Sequence, residues 1–159
     1  MALVKGINSY VTVEEAEEYF TTRIDVAAWE GASATQKEQA LVTATSVLDN
    51  LRWEGMVVSE SQSLAFPRVG SYFDPKAGRL ITLDGINIPD RVIKATFEMA
   101  YHLLNNDGLQ DSTGSVESIS IGSINLTEIK TSPEISAIAR KFIKPLLSNG
   151  GSRSWWRFN

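Results

Sequence analysis

The stretch from Pro89 to Asn106 is apolar on two sides of a helix, and this feature places the strongest limit on the fold. Two apolar stripes run along it, one at Val92, Thr96, Met99 and Leu103 and the other at Ile93, Phe97, Ala100 and Leu104. A helix with more than one apolar face usually lies at the centre of a bundle, because each face needs a packing partner. Pro89 suits the first helical position, where its missing N–H leaves no bond unmade. We therefore expect a central helix over residues 89–106.

Two capping boxes predict two further helices nearer the N-terminus. Thr12 is followed by Glu15, and Ser33 by Gln36, so each hydroxyl and the later side chain can bond to each other's backbone N–H. The predicted fold class is mainly α, a small bundle of about four helices near residues 13–22, 34–50, 89–106 and 133–147. Period-two alternation predicts a small β-hairpin over residues 116–129. The expected core contains Leu41, Leu48, Phe97, Ala100 and Ile138.

The region of residues 52–88 has no helical period and is rich in turn-forming Gly and Pro. We expect a long irregular loop with short extended pieces near residues 55–58 and 79–83. A loop of this length in a compact domain is usually functional or packs on itself. A monomer would have difficulty burying all of the aromatic side chains of this loop. The loop is therefore predicted to contact a neighbouring subunit in a head-to-tail ring, through Phe66, Arg68, Tyr72 and Phe73.

The composition limits the chemistry that this chain can perform. Its 159 residues are 43% apolar and 21% charged, which fits one soluble globular domain, and the absence of Cys excludes thiol chemistry and disulfides. His102 is the single histidine, and no pattern supplies the acid and nucleophile that a general base would need. Glu14 and Glu18 lie one turn apart and could share a cation, but a solvated helix face is favoured. We expect no enzyme, cofactor, metal or membrane span.

Charge and aromatic content divide the chain into a body, residues 1–147, and a flexible tail, residues 148–159. Residues 1–134 hold all 19 acids, whereas residues 135–159 hold five bases and no acid. Gly150-Gly151 lies between serines, a composition typical of a flexible linker. Aromatic and basic residues behind it predict a partner-binding element, although folding back on the body stays open. The predicted binding residues are Arg140, Lys141, Lys144, Arg153, Trp155, Trp156, Arg157 and Phe158.

Four blocks in order resemble the tailed-phage head–tail connector (adaptor) proteins, many of which are described as DnaT-like single-stranded-DNA-binding proteins. The first block is Asn8-Ser9-Tyr10-Val11-Thr12 with Glu15-Ala16, and the second is Leu64-Ala65-Phe66-Pro67-Arg68. The third is Ile88-Pro89 with Val92, Ala95, Glu98 and Ala100. The fourth is Ile121-Gly122-Ser123-Ile124 followed by Lys144-Pro145-Leu146-Leu147. The resemblance covers residues 7–147, and the Trp-rich end lies beyond it.

The resemblance implies a structural virion protein rather than an enzyme. Such connectors form a ring, expected to be a dodecamer, between the portal protein and the tail tube or nozzle proteins in the virion neck. Double-stranded DNA passes through the channel of the ring, and assembly takes place in the host cytoplasm. The alternative is a DnaT-like single-stranded-DNA-binding protein, because basic residues among aromatics also suit single strands. The acidic body opposes nucleic-acid binding. An unrelated adaptor or enzyme remains a third possibility.

Overall fold

The computed structural model describes residues 2–105, 119–121, 124–126 and 135–148. Within this part of the chain there are five α-helices and a 3-10 helix, Lys144–Leu146. The α-helices are α1 Val13–Thr21, α2 Ala27–Glu30, α3 Ala34–Asp49, α4 Asp90–Asn105 and α5 Ala137–Ile143. The strands are β1 Met56–Val57, β2 Arg68–Asp74, β3 Arg79–Asp84, β4 Ile119–Ile121 and β5 Ile124–Leu126.

Three of the four predicted helices, α1, α3 and α4, begin at or next to the expected residue, whereas α5 begins later and the short α2 was not among the four. Both capping boxes form: Thr12 and Ser33 each accept a hydrogen bond from the backbone N–H three residues on, and the side chains of Glu15 and Gln36 bond back. The central position of α4 is confirmed, because α4 packs against α2, α3 and α5. Its buried residues are Val92, Ala95, Thr96, Phe97, Glu98, Met99, Ala100 and Tyr101.

The predicted core is confirmed except at one position. Leu41, Leu48, Phe97 and Ala100 are buried, but Ile138 is 44% exposed. The expected helix over 133–147 assumed an earlier start than the structure has. In the structure α5 begins at Ala137. Its buried residues are Ala139 and Ile143, one turn apart, and Leu146 of the following 3-10 helix is also buried, so Ile138 lies off this face.

Residues 52–88 are largely non-helical, as predicted, but the expectation of a long irregular loop was wrong. The region forms a three-stranded antiparallel sheet in the order β1-β2-β3. Its extended pieces at β1 and β3 were predicted, whereas β2 was not, because Gly70 and Pro67 indicated turns. The helices are still the larger share of the described residues, and the sheet makes the architecture mixed α and β.

The predicted hairpin near the C-terminal third is confirmed for its strand residues. β4 and β5 pair antiparallel with Ile121 opposite Ile124, so two residues connect them. The remainder of 116–129 lies outside the described residues. Among the helices that the structure describes, none is long and apolar enough to cross a membrane.

Candidate interaction surface

The inner face of the three-stranded sheet belongs to the core of its own subunit. Tyr72 and Leu83 are buried there, and Phe66, just before β2, is only 2% exposed. The Phe66 ring meets Tyr10 and Trp53 edge-on, with centroid separations of 6.1 and 4.9 Å. The sequence assigned Phe66 and Tyr72 to contacts with a neighbouring subunit. The structure places both side chains in the hydrophobic core of their own subunit, and their contact with a neighbouring subunit stays a prediction.

Arg68 is also occupied within its own subunit. Its guanidinium donates hydrogen bonds to backbone carbonyls on both sides of β1, at 2.8 Å to Glu54 and 2.6 Å to Gly55, and at 3.3 Å to Ala65. Desolvation lowers the pKa of Arg68, an effect that the nearby Tyr10 and Asp49 side chains oppose. A charged group with several carbonyl acceptors fixes the segments that lead into β1 and β2 against each other. The block Leu64–Arg68 therefore has a structural role in this chain.

An ion pair fastens the other end of β2 to the central helix. The Asp74 carboxylate accepts hydrogen bonds from Nε and Nη2 of Arg91, at 2.9 and 2.7 Å. It also accepts one from the backbone N–H of Lys76 at 2.7 Å. The Arg91 guanidinium holds the pKa of Asp74 well below its usual range, and the backbone N–H donors add to this effect. The hairpin of β2 and β3 is thus held at both ends of its inner face.

The outer face of the sheet is exposed and carries apolar pairs at its two ends, with the polar pair Ser71 and Thr82 between them. Directly paired residues lie on the same face of an antiparallel sheet, and the register pairs Met56 with Val69 and Phe73 with Leu80. Their exposed fractions are 70% for Met56, 56% for Phe73 and 65% for Leu80. Clustered apolar side chains that face solvent usually mark an interaction site. Of the four predicted loop contacts, Phe73 is the one that the structure leaves exposed.

This region holds most of the exposed large apolar side chains in the described part of the chain. Seven of the eleven fall between residues 56 and 86, namely Met56, Val57, Val58, Val69, Phe73, Leu80 and Ile86. The other four, Val4, Ile7, Ile24 and Ile138, come from three separate parts of the sequence. The apolar exposure is therefore concentrated on the sheet and its flanks rather than scattered, as single surface apolar residues normally are.

A groove of about 590 Å³ opens beside the outer face, between β2 and the 3-10 helix. We call it the sheet groove. Its apolar walls are formed by Phe73, Pro75, Leu80, Pro145 and Leu147, and its charged lining residues are Glu54 and Lys144. A concave apolar surface with a few charges is the usual form of a binding site. The sheet groove can therefore receive an apolar side chain and an acidic neighbour.

A second groove, of about 380 Å³, lies between β3 and the start of α4. Its charges largely satisfy one another. Asp74 pairs with Arg91, and Lys94 Nζ lies 2.7 Å from the Asp90 carboxylate. In the described residues, no group of three or more His, Cys, Asp or Glu side chains is arranged to hold a metal ion. The Asp74–Arg91 ion pair in this groove contributes to the attachment of the hairpin of β2 and β3 to α4.

The predicted basic binding residues are only partly within the described structure. Arg140, Lys141 and Lys144 are all exposed, on α5 and the start of the 3-10 helix. No acid occurs in residues 135–148, so this end of the body presents a basic surface. The tail residues Arg153, Trp155, Trp156, Arg157 and Phe158 lie outside the described residues. His102 is half-buried on α4, and Glu14 and Glu18 are exposed on α1.

Sequence reasoning missed one surface feature, the loop of residues 23–25 between α1 and α2, which we call the Ile24 loop. Ile24 is 90% exposed, and Asp25 has a φ of 57°. Below the loop, Arg23 Nε donates to Glu98 at 2.8 Å, and Glu98 is 4% exposed. The only sequence signal was Glu98, an acidic residue between Phe97 and Met99 in the two apolar stripes of α4.

Further contacts hold the Ile24 loop in a single conformation. Arg23 donates to the Ile24 carbonyl at 3.0 Å, and its guanidinium lies 4.2 Å from the centre of the Tyr101 ring. The Tyr101 hydroxyl donates to the Asp25 carboxylate at 3.3 Å. The backbone strain at Asp25 is thus fixed by side chains of the central helix.

A comparison with protein families matches residues 2–158 to the family described as "Putative DnaT-like ssDNA binding protein". The match spans nearly the entire chain. No curated protein and no solved structure matches the sequence.

Proposed function

This chain belongs to the DnaT-like ssDNA-binding protein family, and we propose that it works as a structural subunit that assembles with copies of itself. In this proposal it is a head–tail connector, which forms a ring between the portal and the tail in the virion neck and has no catalytic role. The observation that carries the proposal is the group of exposed apolar side chains on the outer face of the sheet, Met56, Phe73 and Leu80. Exposed apolar patches of this kind usually mark a surface that another protein covers.

The charge of the body supports a passage for DNA rather than a tight binding site. Residues 2–105 carry 14 acids and nine Lys or Arg residues. Like charge disfavours contact with phosphates, so duplex DNA can move along such a wall without being held. Sequence-independent binding of single strands uses exposed aromatic rings on which bases stack. In the described residues, Phe73 is the one aromatic side chain among the exposed large apolar residues.

The basic end of the body and the tail are proposed to bind the portal protein. Arg140, Lys141 and Lys144 are exposed and face no acid on their own segment. The tail adds two bases and three large aromatics, at Arg153, Trp155, Trp156, Arg157 and Phe158. Buried interface tryptophans and arginines carry much of the binding energy in known complexes, and the Gly-rich linker can absorb a mismatch between two rings.

Native mass spectrometry and electron microscopy of the full chain, with and without portal protein, test the connector function. We expect ring particles, or ring density bound to the portal, in at least one of the two samples. A chain that stays monomeric in both samples and does not bind the portal would contradict the proposal.

Single-stranded-DNA binding is the second candidate, and the description of the family supports it more directly than it supports a connector. The aromatic and basic tail is the part of the chain that suits it, since bases can stack on Trp155 and Trp156 while Arg153 and Arg157 meet phosphates. Salt-dependent binding of an oligonucleotide, lost on deletion of residues 153–159, would favour this function. Portal binding lost by the same deletion would favour the connector.

A further inference from the structure

The Ile24 loop leaves the large apolar side chain of Ile24 exposed to solvent in the free subunit. Ile24 is 90% exposed, and contacts of Arg23 with Glu98, with Tyr101 and with the Ile24 carbonyl support the loop backbone from below. The left-handed conformation of Asp25 is costly for a residue other than glycine. Strain held in place under an exposed apolar residue is typical of a contact prepared before binding.

The surroundings of the Ile24 loop are mainly acidic, whereas around the sheet groove three bases, Lys144, Arg140 and Lys141, outnumber the one acid, Glu54. Glu18, Asp25 and Glu30 are exposed on or beside the loop. The sheet groove includes Lys144, and the neighbouring helix α5 exposes further bases, Arg140 and Lys141. Opposite charges at the rims of two apolar surfaces orient the partners and favour their encounter. The difference in charge between the acidic part of the body and its basic end would thereby orient neighbouring copies.

The two surfaces lie at different levels of the central helix. The Ile24 loop rests on Glu98 and Tyr101, whereas Arg91 holds the strand that lines the sheet groove. Arg91 and Tyr101 are ten residues apart, which corresponds to about 15 Å along a helix axis. A rigid loop at one level cannot fill a groove at the other level of the same subunit. A second copy can bring its loop to the groove.

We propose that Ile24 of one copy of this chain inserts into the sheet groove of a second copy. The Ile24 side chain then packs among Phe73, Leu80 and Leu147, and Asp25 approaches Lys144. Because the contact joins two different surfaces, each copy keeps one loop and one groove free for the next. A head-to-tail contact of this type closes into a ring when the rotation between copies permits it. The inference rests on the proposed function and specifies the subunit contact.

Two single variants test the contact, with the oligomeric state measured by sedimentation velocity in the full chain, alone and with portal protein. Ile24→Asp removes the apolar loop residue, and Leu80→Asp places a charge in the sheet groove. Each should weaken self-association at least tenfold, as the loss of an interface anchor does. Ile7→Asp is the matched control, because Ile7 is 59% exposed and lies elsewhere; it should associate like the wild type. Circular dichroism checks that each variant is folded.

A mixture of the two variants makes the test specific. Ile24→Asp keeps an intact groove and Leu80→Asp keeps an intact loop, so together they should form a one-to-one dimer that grows no further. Either variant assembling like the wild type, or a mixture that stays monomeric, would overturn this contact. Rings that form in spite of both changes would leave the connector function standing and remove only this contact. A wild-type chain that never associates, alone or with the portal, would instead refute the proposed function.

Discussion

Replacing Glu98 by Gln should destabilise the subunit far more than the loss of a surface charge does. Glu98 is 4% exposed and accepts hydrogen bonds from Arg23 and Tyr19. Gln has nearly the same shape but no charge, so the Arg23 guanidinium, whose side chain is 18% exposed, loses its counterion. The loop above it should lose its fixed conformation at the same time.

The exposure of the two partners sets the expected magnitude. Removing one member of a buried ion pair typically costs about 3–5 kcal/mol. Arg23 retains some contact with water and a bond to the Ile24 carbonyl, so we expect a cost at or just below the lower end of that range, about 2–3 kcal/mol. Glu17→Gln is the control, because Glu17 is 54% exposed and water solvates its charge, while its partner Lys37, at 16% exposed, is about as buried as Arg23. That change should cost about 0–1 kcal/mol.

Urea unfolding followed by circular dichroism measures both variants. With a slope of about 2 kcal/mol per molar urea, Glu98→Gln should lower the unfolding midpoint by roughly 1–1.5 M, and Glu17→Gln by less than about 0.5 M. The Glu98 variant should also self-associate more weakly below its unfolding range, because the Ile24 loop is no longer held. Equal midpoints for the two variants would refute the reasoning that burial decides the cost.

Three further changes have distinct expected outcomes. Gly55→Ala should cost about 2 kcal/mol or more in thermal unfolding, because a Cβ at φ 76° would overlap the Val69 carbonyl oxygen. Gly78→Ala should cost about 1 kcal/mol, because the space around Gly78 is open. Similar losses of stability at both sites would contradict this prediction. Because the pKa of Asp74 is lower in the folded than in the unfolded state, its ion pair with Arg91 stabilises the folded state fully above about pH 4. This stabilisation is lost as the pH falls through the pKa of Asp74 in the folded state. The stability difference between wild type and Asp74→Asn should therefore be constant near neutral pH and shrink in acid, and a difference that grows in acid would reverse the assignment. Deleting residues 153–159 should leave the unfolding midpoint unchanged while weakening portal binding; unaltered portal affinity would show that the tail is not the anchor.

The helical part of the fold was largely predictable, because its signals are local. Capping boxes depend on residues three positions apart, and α1 and α3 begin where Thr12 and Ser33 place them. The position of α4 followed from its two apolar stripes. The start of α5 was not predictable to the residue, and its buried face was assigned one position off, because Ala139 and Ile143 are buried while Ile138 is exposed.

The sheet and the candidate site depended on contacts that the sequence does not display. The alternation along β2 is weakened by Gly70, and nothing near Arg68 indicates that its acceptors are the carbonyls of residues 54 and 55. The burial of Phe66 and Tyr72 follows from the same attachment. Likewise, Arg23 and Glu98 are 75 positions apart, so the support under Ile24 appears only in three dimensions.

The separation of the two faces of the sheet has a consequence for how such a protein can change over time. The inner face carries the attachments, through Tyr72, Leu83 and the Asp74–Arg91 pair. The outer face makes few demands on the fold, since Met56, Phe73 and Leu80 are mostly exposed. Substitutions at these three positions are therefore nearly neutral for stability. One scaffold can thus exchange its outer residues to suit a different partner without having to be refolded around them.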